Sequence, residues 1–285
     1  MGWGYRGTSP RTQALTSSAR FSTRRRLFRI AVAAGLLFPA GAAAQEEGAA
    51  LNVERLEPDQ LAVRDSILQT LDPILAQKKQ DGTAILLTWD DLYKPLNPQQ
   101  QAFLDAFRKL KASALGATSH YFGELQAPPE ISPVGSQTIL KAGVPTPLDP
   151  QYLPTNVLQA YRRMMDAMKT DLNKQLLVES GYRSPAYQLY LFLFYMPKHG
   201  DSIKETNRFV ALPGHSEHGY PPRQAIDFIN EEGINGEDHP EQFEALPEYA
   251  WLQQRAAEFG FAISYPRDNA LGTSFEPWHW HYSGE

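Results

Sequence analysis

The sequence contains no cysteine in 285 residues. Disulfides are therefore excluded in any compartment. Thiolate ligands are excluded as well, so any metal must be held by His, Asp or Glu. Strong charge imbalance is missing too. A formal net charge of −5 gives no whole-protein reason to expect nucleic acid or an anionic membrane as partner. No internal repeat or low-complexity tract stands out. What remains is ordinary for a globular protein, with 42% hydrophobic and 21% charged residues. The length suits one large domain or two small ones, and a core of normal size needs no metal or disulfide merely to fold.

The first 44 residues read as an export signal. Arg20, Arg24, Arg25, Arg26 and Arg29 form a basic run. Ile30 to Phe38 follows as an apolar stretch too short to span a bilayer as a mature helix. Ala42-Ala43-Ala44 then offers small residues for cleavage before Gln45. Thr23-Arg24-Arg25-Arg26-Leu27-Phe28-Arg29 resembles a twin-arginine signal, with Leu-Phe in place of the more usual Phe-Leu. The expectation is a periplasmic or otherwise exported protein with no stable membrane span in the mature chain.

Beyond the signal, Leu61 to Leu75 has mixed helical spacing, and Ala84 to Trp89 reads as a short buried strand. Asn97-Pro98, with Gln100 three residues after the cap, predicts a helix whose apolar stripe is Phe103, Leu104, Phe107 and Leu110. No chemistry is visible in residues 45–127, which read as an accessory segment. Ala127 to Pro150 carries six prolines and cannot form regular structure throughout, so 128–150 is read as a connector. Thr155 to about Lys174 is the clearest amphipathic helix, with Val157, Leu158, Tyr161, Met164, Met165, Met168 and Leu172 at helical spacing. Leu176 to Glu179, Ala225 to Ile229, Phe261 to Tyr265 and Trp278 to Tyr282 read as strands. Ser184-Pro185 and Pro247 to Phe259, closed by Gly260, read as helices. Helices and strands mix without regular alternation, which favours an α+β fold.

Five of the seven histidines lie after residue 200: His215, His218, His239, His279 and His281. Asp227 sits between Ile226 and Phe228 in an apolar strand, where a carboxylate is costly unless paired or bound to a metal. His279 lies between Trp278 and Trp280, three residues after Glu276. A hydrolytic zinc site keeps three protein ligands and an open position for water, a nearby carboxylate as base, and a fixed cation for the developing oxyanion. Two His and one Asp, Glu276 and Arg183 supply one candidate for each role. Taken singly, His218, Asp227 and His279 each read better as a buried structural polar group. Their convergence points to a site.

Four ordered motifs carry a resemblance. Ser180-Gly181-Tyr182-Arg183-Ser184 with Gln188, Pro213-Gly214-His215-Ser216-Glu217-His218, Ala225-Ile226-Asp227, and Glu276-Pro277-Trp278-His279-Trp280 resemble those of the VanY-type zinc D-alanyl-D-alanine carboxypeptidases. The resemblance covers roughly residues 140–285. It implies a hedgehog/DD-peptidase-like fold, a small antiparallel sheet flanked by helices, here with a mainly helical N-terminal extension. It also implies that 151–285 is a zinc peptidase domain in which His218, Asp227 and His279 bind Zn2+. Glu276 is then the catalytic base and Arg183 the stabiliser of the oxyanion. Ser216 and Gln188 would line the substrate pocket, as would Tyr182 unless its ring is packing. Arg183 could also be a plain salt-bridge partner.

Two departures leave alternatives open. Eight residues separate His218 from Asp227, more than the family usually has, so either His215 or His218 could be the ligand; the phase of Ser216-Glu217-His218 favours His218. His281 stands where the family commonly has Arg, and on the strand face of His279 it is either a spare ligand or a partner behind the ligands. The expected activity is removal of terminal D-alanine from D-Ala-D-Ala ends of peptidoglycan stem peptides. A peptidoglycan endopeptidase cutting D,D- or L-Ala-D-Glu bonds, and a non-catalytic zinc-containing cell-wall binding module, are the alternatives.

Overall fold

A computed structural model describes residues 50–116, 119–124, 130–269 and 274–284. The export signal read from residues 1–44 lies outside the described residues. All described residues fall within Glu46–Glu285, a single compact unit.

The first helix, α1 (Pro58–Gln80), starts on a capping box between Glu57 and Gln60 with Pro58 in its first turn. It buries Ile67, Leu71 and Leu75, one turn apart, on one face. The stretch Ala84 to Trp89, expected as a strand, is instead a 3-10 turn (Ala84–Leu86) leading into helix α2 (Trp89–Tyr93). Thr88 and Asp91 form a second capping box there, and this polar start overrides the short apolar run. The freed carbonyls are used elsewhere: Ile85 O accepts from Ser184 N at 2.9 Å, and Leu87 O from Ser184 Oγ at 2.5 Å. Helix α3 (Pro98–Arg108) has the expected Asn97/Gln100 capping box and buries Phe103, Leu104 and Phe107.

These helices form one apolar core with helix α5 (Pro185–Tyr195), through Leu189, Phe192 and Leu193. That helix is apolar nearly all round; most of its side chains are buried, while Phe194 is 51% exposed. Ser184 caps it, as expected, by accepting from Tyr187 N.

The proline-rich stretch is more ordered than the sequence indicates. Strand β1 (Ile131–Pro133) pairs with β4 (Tyr152–Pro154), and β2 (Thr138–Lys141) pairs with β3 (Val144–Pro147) as a hairpin. Prolines are tolerated because both ladders are two-stranded and consist of edges only. Helix α4 (Thr155–Leu172) buries Val157, Leu158, Tyr161, Met164, Met165 and Met168 and ends at Asn173 in the left-handed region.

The second core lies between α4, α8 (Pro247–Arg255) and a four-stranded antiparallel sheet in the order β5-β6-β8-β7. Its strands are β5 (Leu176–Ser180), β6 (Ala225–Asn230), β7 (Phe261–Ile263) and β8 (His279–Tyr282). Short helices α6 (Ile203–Thr206) and α7 (Pro240–Glu244) complete the described elements. The architecture is α+β, a small antiparallel sheet flanked by helices with a helical N-terminal region.

Register positions the site. Asp227 on β6 lies opposite His279 on β8 and Ser180 on β5. With a side-chain period of two, Ile226, Phe228 and Trp280 turn into the second core while Asp227 and His279 share the other face.

Candidate metal centre

His218 sits in a 3-10 turn, Glu217–Gly219, with its side chain 1% exposed. Its Nδ1 lies 2.7 Å from Gly181 O. A carbonyl only accepts, so the proton is on Nδ1 and the lone pair on Nε2. Nε2 is buried without a hydrogen-bond partner, 3.1 Å from Asp227 Oδ2. Gly181 is there because no side chain fits: a Cβ would stand 2.4 Å from Tyr152 O.

His279 and Glu276 are brought together by a tight turn. Pro277 and Trp278 occupy its centre, and His279 N donates to Glu276 O at 3.2 Å. His279 Nδ1 lies 2.8 Å from Asp227 Oδ1 and 3.9 Å from Glu276 Oε2. Its Nε2 lies 3.1 Å from Glu217 Oε2. His218, Asp227 and His279 each offer one ligand atom, all within 4.8 Å of one another. Edges of a tetrahedral zinc site with bonds of about 2.0–2.2 Å measure roughly 3.3–3.6 Å, so small side-chain adjustments seat the ion. Two imidazoles, one carboxylate and an orphaned buried nitrogen fit zinc as a three-ligand set with an open position. The ring nitrogens facing away are bonded to a carbonyl and a carboxylate, the arrangement that fixes ligand histidines.

Charge follows from these contacts. Burial pushes His218 down, assisted by Arg183, to about 4, so it is neutral at physiological pH. Burial would also lower His279, but Asp227 and Glu217 outweigh it and push it up to about 10. For Asp227, burial is overcome by His218 and His279, which hold the carboxyl well below its usual range. Burial raises Glu276 to about 7 against the pull of His279, a value suited to a general base.

Arg183 reaches the same place from the β5–α5 junction. Its Nη1 lies 3.8 Å from Asp227 Oδ2 and donates to Ser180 Oγ at 3.0 Å, while its Nε is buried without a partner. Ser216 precedes the turn bearing His218. Gln188 donates to Ala211 O at 2.8 Å and is otherwise buried, holding the loop that leads to Pro213. Tyr182 is 1% exposed and packed. His215 is turned away: its Nδ1 meets His120 O at 3.0 Å and Ser119 Oγ at 3.3 Å. His281 stands behind the centre, with Nδ1 2.8 Å from Ser264 Oγ.

Sequence reasoning assigned no role to Glu217, although it lies inside a quoted motif. A single charged letter between Ser216 and His218 gave no sign of its burial. The Tyr265 ring centroid lies 4.9 Å from that of His279, and burial raises Glu179 to about 7.

Residues 150–285 match the family model described as D-alanyl-D-alanine carboxypeptidase, VanY. Over 139 residues the chain is 30% identical to the bifunctional D-Ala-D-Ala dipeptidase and D-Ala-D-Ala carboxypeptidase VanXYC of Enterococcus gallinarum, covering 47% of this chain and 68% of that protein. The chain belongs to the VanY family. It is also 31% identical over 137 residues to the putative carboxypeptidase YodJ of Bacillus subtilis, covering 47% of this chain and 48% of that one. Among solved structures, a mutant of the vancomycin resistance D,D-pentapeptidase VanY from a VanB-type resistance cassette, in complex with Zn(II), is 27% identical. That match covers 47% of this chain and 74% of the other, with a TM-score of 0.38. All three matches account for about half of this VanY-family chain, and the family model begins where the proline-rich stretch ends.

Proposed function

We propose that the protein is an exported, zinc-dependent D,D-carboxypeptidase that removes terminal D-alanine from peptidoglycan stem peptides. One observation carries the reading. His218 Nε2, Asp227 and His279 Nδ1 converge, with Glu276 Oε2 3.9 Å from His279 Nδ1 and Arg183 3.8 Å from Asp227. Family membership supports the reaction class. The basic and apolar residues of 1–44, with their twin-arginine-like run, support export. Among the described residues no helix is long and apolar enough to cross a membrane.

His218, Asp227 and His279 would hold the ion. When bound, zinc supplies a Lewis acid that polarises the scissile carbonyl and lowers the pKa of a water. Glu276 Oε2 accepts the proton of the attacking water and passes it to the amine nitrogen of the leaving D-alanine. Arg183 is held by Ser180 beside the centre, and its guanidinium would donate to the oxygen on which negative charge develops.

Glu276→Ala tests the assignment. Turnover on a defined muropeptide ending in D-Ala-D-Ala should fall by roughly 10²–10⁴-fold, the usual contribution of a positioned base, while zinc still binds. A variant with zinc bound and near wild-type turnover would show that Glu276 is not the base. Product analysis on the same muropeptides separates loss of one D-alanine from internal cleavage.

A further inference from the structure

We propose that Glu217 is a positioning residue for the metal centre, holding the His279 ring by its Nε2 so that Nδ1 faces the ion. In this arrangement the widened loop between His218 and Asp227 supplies Arg223 to hold Glu217 in turn. The inference rests on His279 being a ligand, as argued above.

Glu217 is 4% exposed and has donors on both oxygens. Oε2 accepts from His279 Nε2 at 3.1 Å and from Ser264 Oγ at 2.5 Å; Oε1 accepts from Arg223 Nε at 2.6 Å. Because the Ser264 hydroxyl gives its proton to the carboxylate, its oxygen accepts from His281 Nδ1 at 2.8 Å. His281 is thereby part of the support and not a fourth ligand. A buried carboxylate without partners is costly, so this one is fixed by the set that surrounds it. It is an adjacent residue to one ligand and a hydrogen-bond partner of another, and so ties two ligands into one frame.

The loop is built to deliver Arg223. Pro221 and Pro222 begin a 3-10 turn, Arg223 N donates to Tyr220 O at 2.9 Å, and Gln224 Nε2 donates to His218 O at 3.2 Å and Ala225 O at 2.8 Å. These bonds make the extra loop length rigid. The guanidinium reaches Glu217 from the solvent side and supplies the counter-charge that a buried anion requires. Ser264 follows β7, so the carboxylate is gripped by three separate parts of the fold.

The test uses the full chain, freed of metal by chelation, and measures the zinc dissociation constant by competition with a chromophoric chelator. Glu217→Ala should weaken zinc binding about 10–100-fold, the range for partners behind a ligand. Glu217→Gln, which still accepts from His279 Nε2, should restore part of that loss. Arg223→Met should weaken binding several-fold, and the visible spectrum of cobalt-loaded Glu217→Ala should shift. A folded Glu217→Ala protein with a wild-type dissociation constant overturns the proposal. If that variant does not fold, a wild-type constant in Arg223→Met overturns it. His279→Ala is the control: if it binds zinc as tightly as wild type, the ligand assignment itself has failed.

Discussion

The zinc-free protein should carry a proton on His279 that zinc must displace. Asp227 and Glu217 flank the ring and push it up to about 10 against burial. At pH 7 the zinc-free ring is therefore an imidazolium donating to both carboxylates, while His218, pushed down to about 4, is neutral. At about 1.4 kcal/mol per pKa unit, removing the His279 proton at pH 7 opposes binding by about 4 kcal/mol. Metal affinity should accordingly fall about tenfold for each unit of acidification between pH 9 and pH 6. Long-range proton–nitrogen correlation spectra of the zinc-free protein read the ring directly. At pH 8 both nitrogens of His279 should be protonated, and one should lose its proton on addition of zinc. Asp227→Asn removes the largest upward influence and should lower the pH at which the ring loses its proton, with Glu217 and Glu276 still acting on it. A neutral His279 at pH 8 in the zinc-free wild type would refute the reasoning.

Three further outcomes are expected. Glu276 is raised to about 7 when folded, above its ordinary 4.5, so the stability it lends the zinc-free protein is complete below about 4.5 and lost as pH rises through 7. Glu276→Gln should therefore raise the zinc-free melting temperature more at pH 8 than at pH 5, and equal shifts would contradict the raised value. Gly181→Ala, whose Cβ would press on Tyr152 O, should displace the carbonyl that orients His218 and weaken zinc binding at least tenfold, measured by chelator competition. Leu189→Ala, in the core shared by α5 and the N-terminal helices, should cost about 2–5 kcal/mol in denaturant unfolding, and a loss below 1 kcal/mol would count against that shared core.

Much of the centre is legible because local rules place it. The alternation Ile226-Asp227-Phe228 puts one carboxylate on the face opposite the core, and Glu276-Pro277-Trp278-His279 is a turn whose ends meet. Helices begin where Asn97 and Ser184 cap them. The errors came where tertiary contact decides. Ala84 to Trp89 has the composition of a strand, but its carbonyls are taken by Ser184, almost a hundred positions away. Motif phase favours His218 over His215, and the bonds of His215 to Ser119 and His120 turn its ring away from the centre. Glu217 needed Arg223, Ser264 and His279 in space before its role could be read.

The contact between Ser184 and residues 85–87 has a wider consequence. Arg183 immediately precedes that contact, so the backbone that aims the guanidinium is clamped on one side by the N-terminal helices. These helices act as a foundation wall for the reaction chamber. Cutting the chain at the proline-rich stretch to obtain a minimal enzyme would strip the outer side of α5, exposing Leu189, Phe192 and Leu193 to water. Such a fragment would lose its solubility and the aim of its arginine in the same cut.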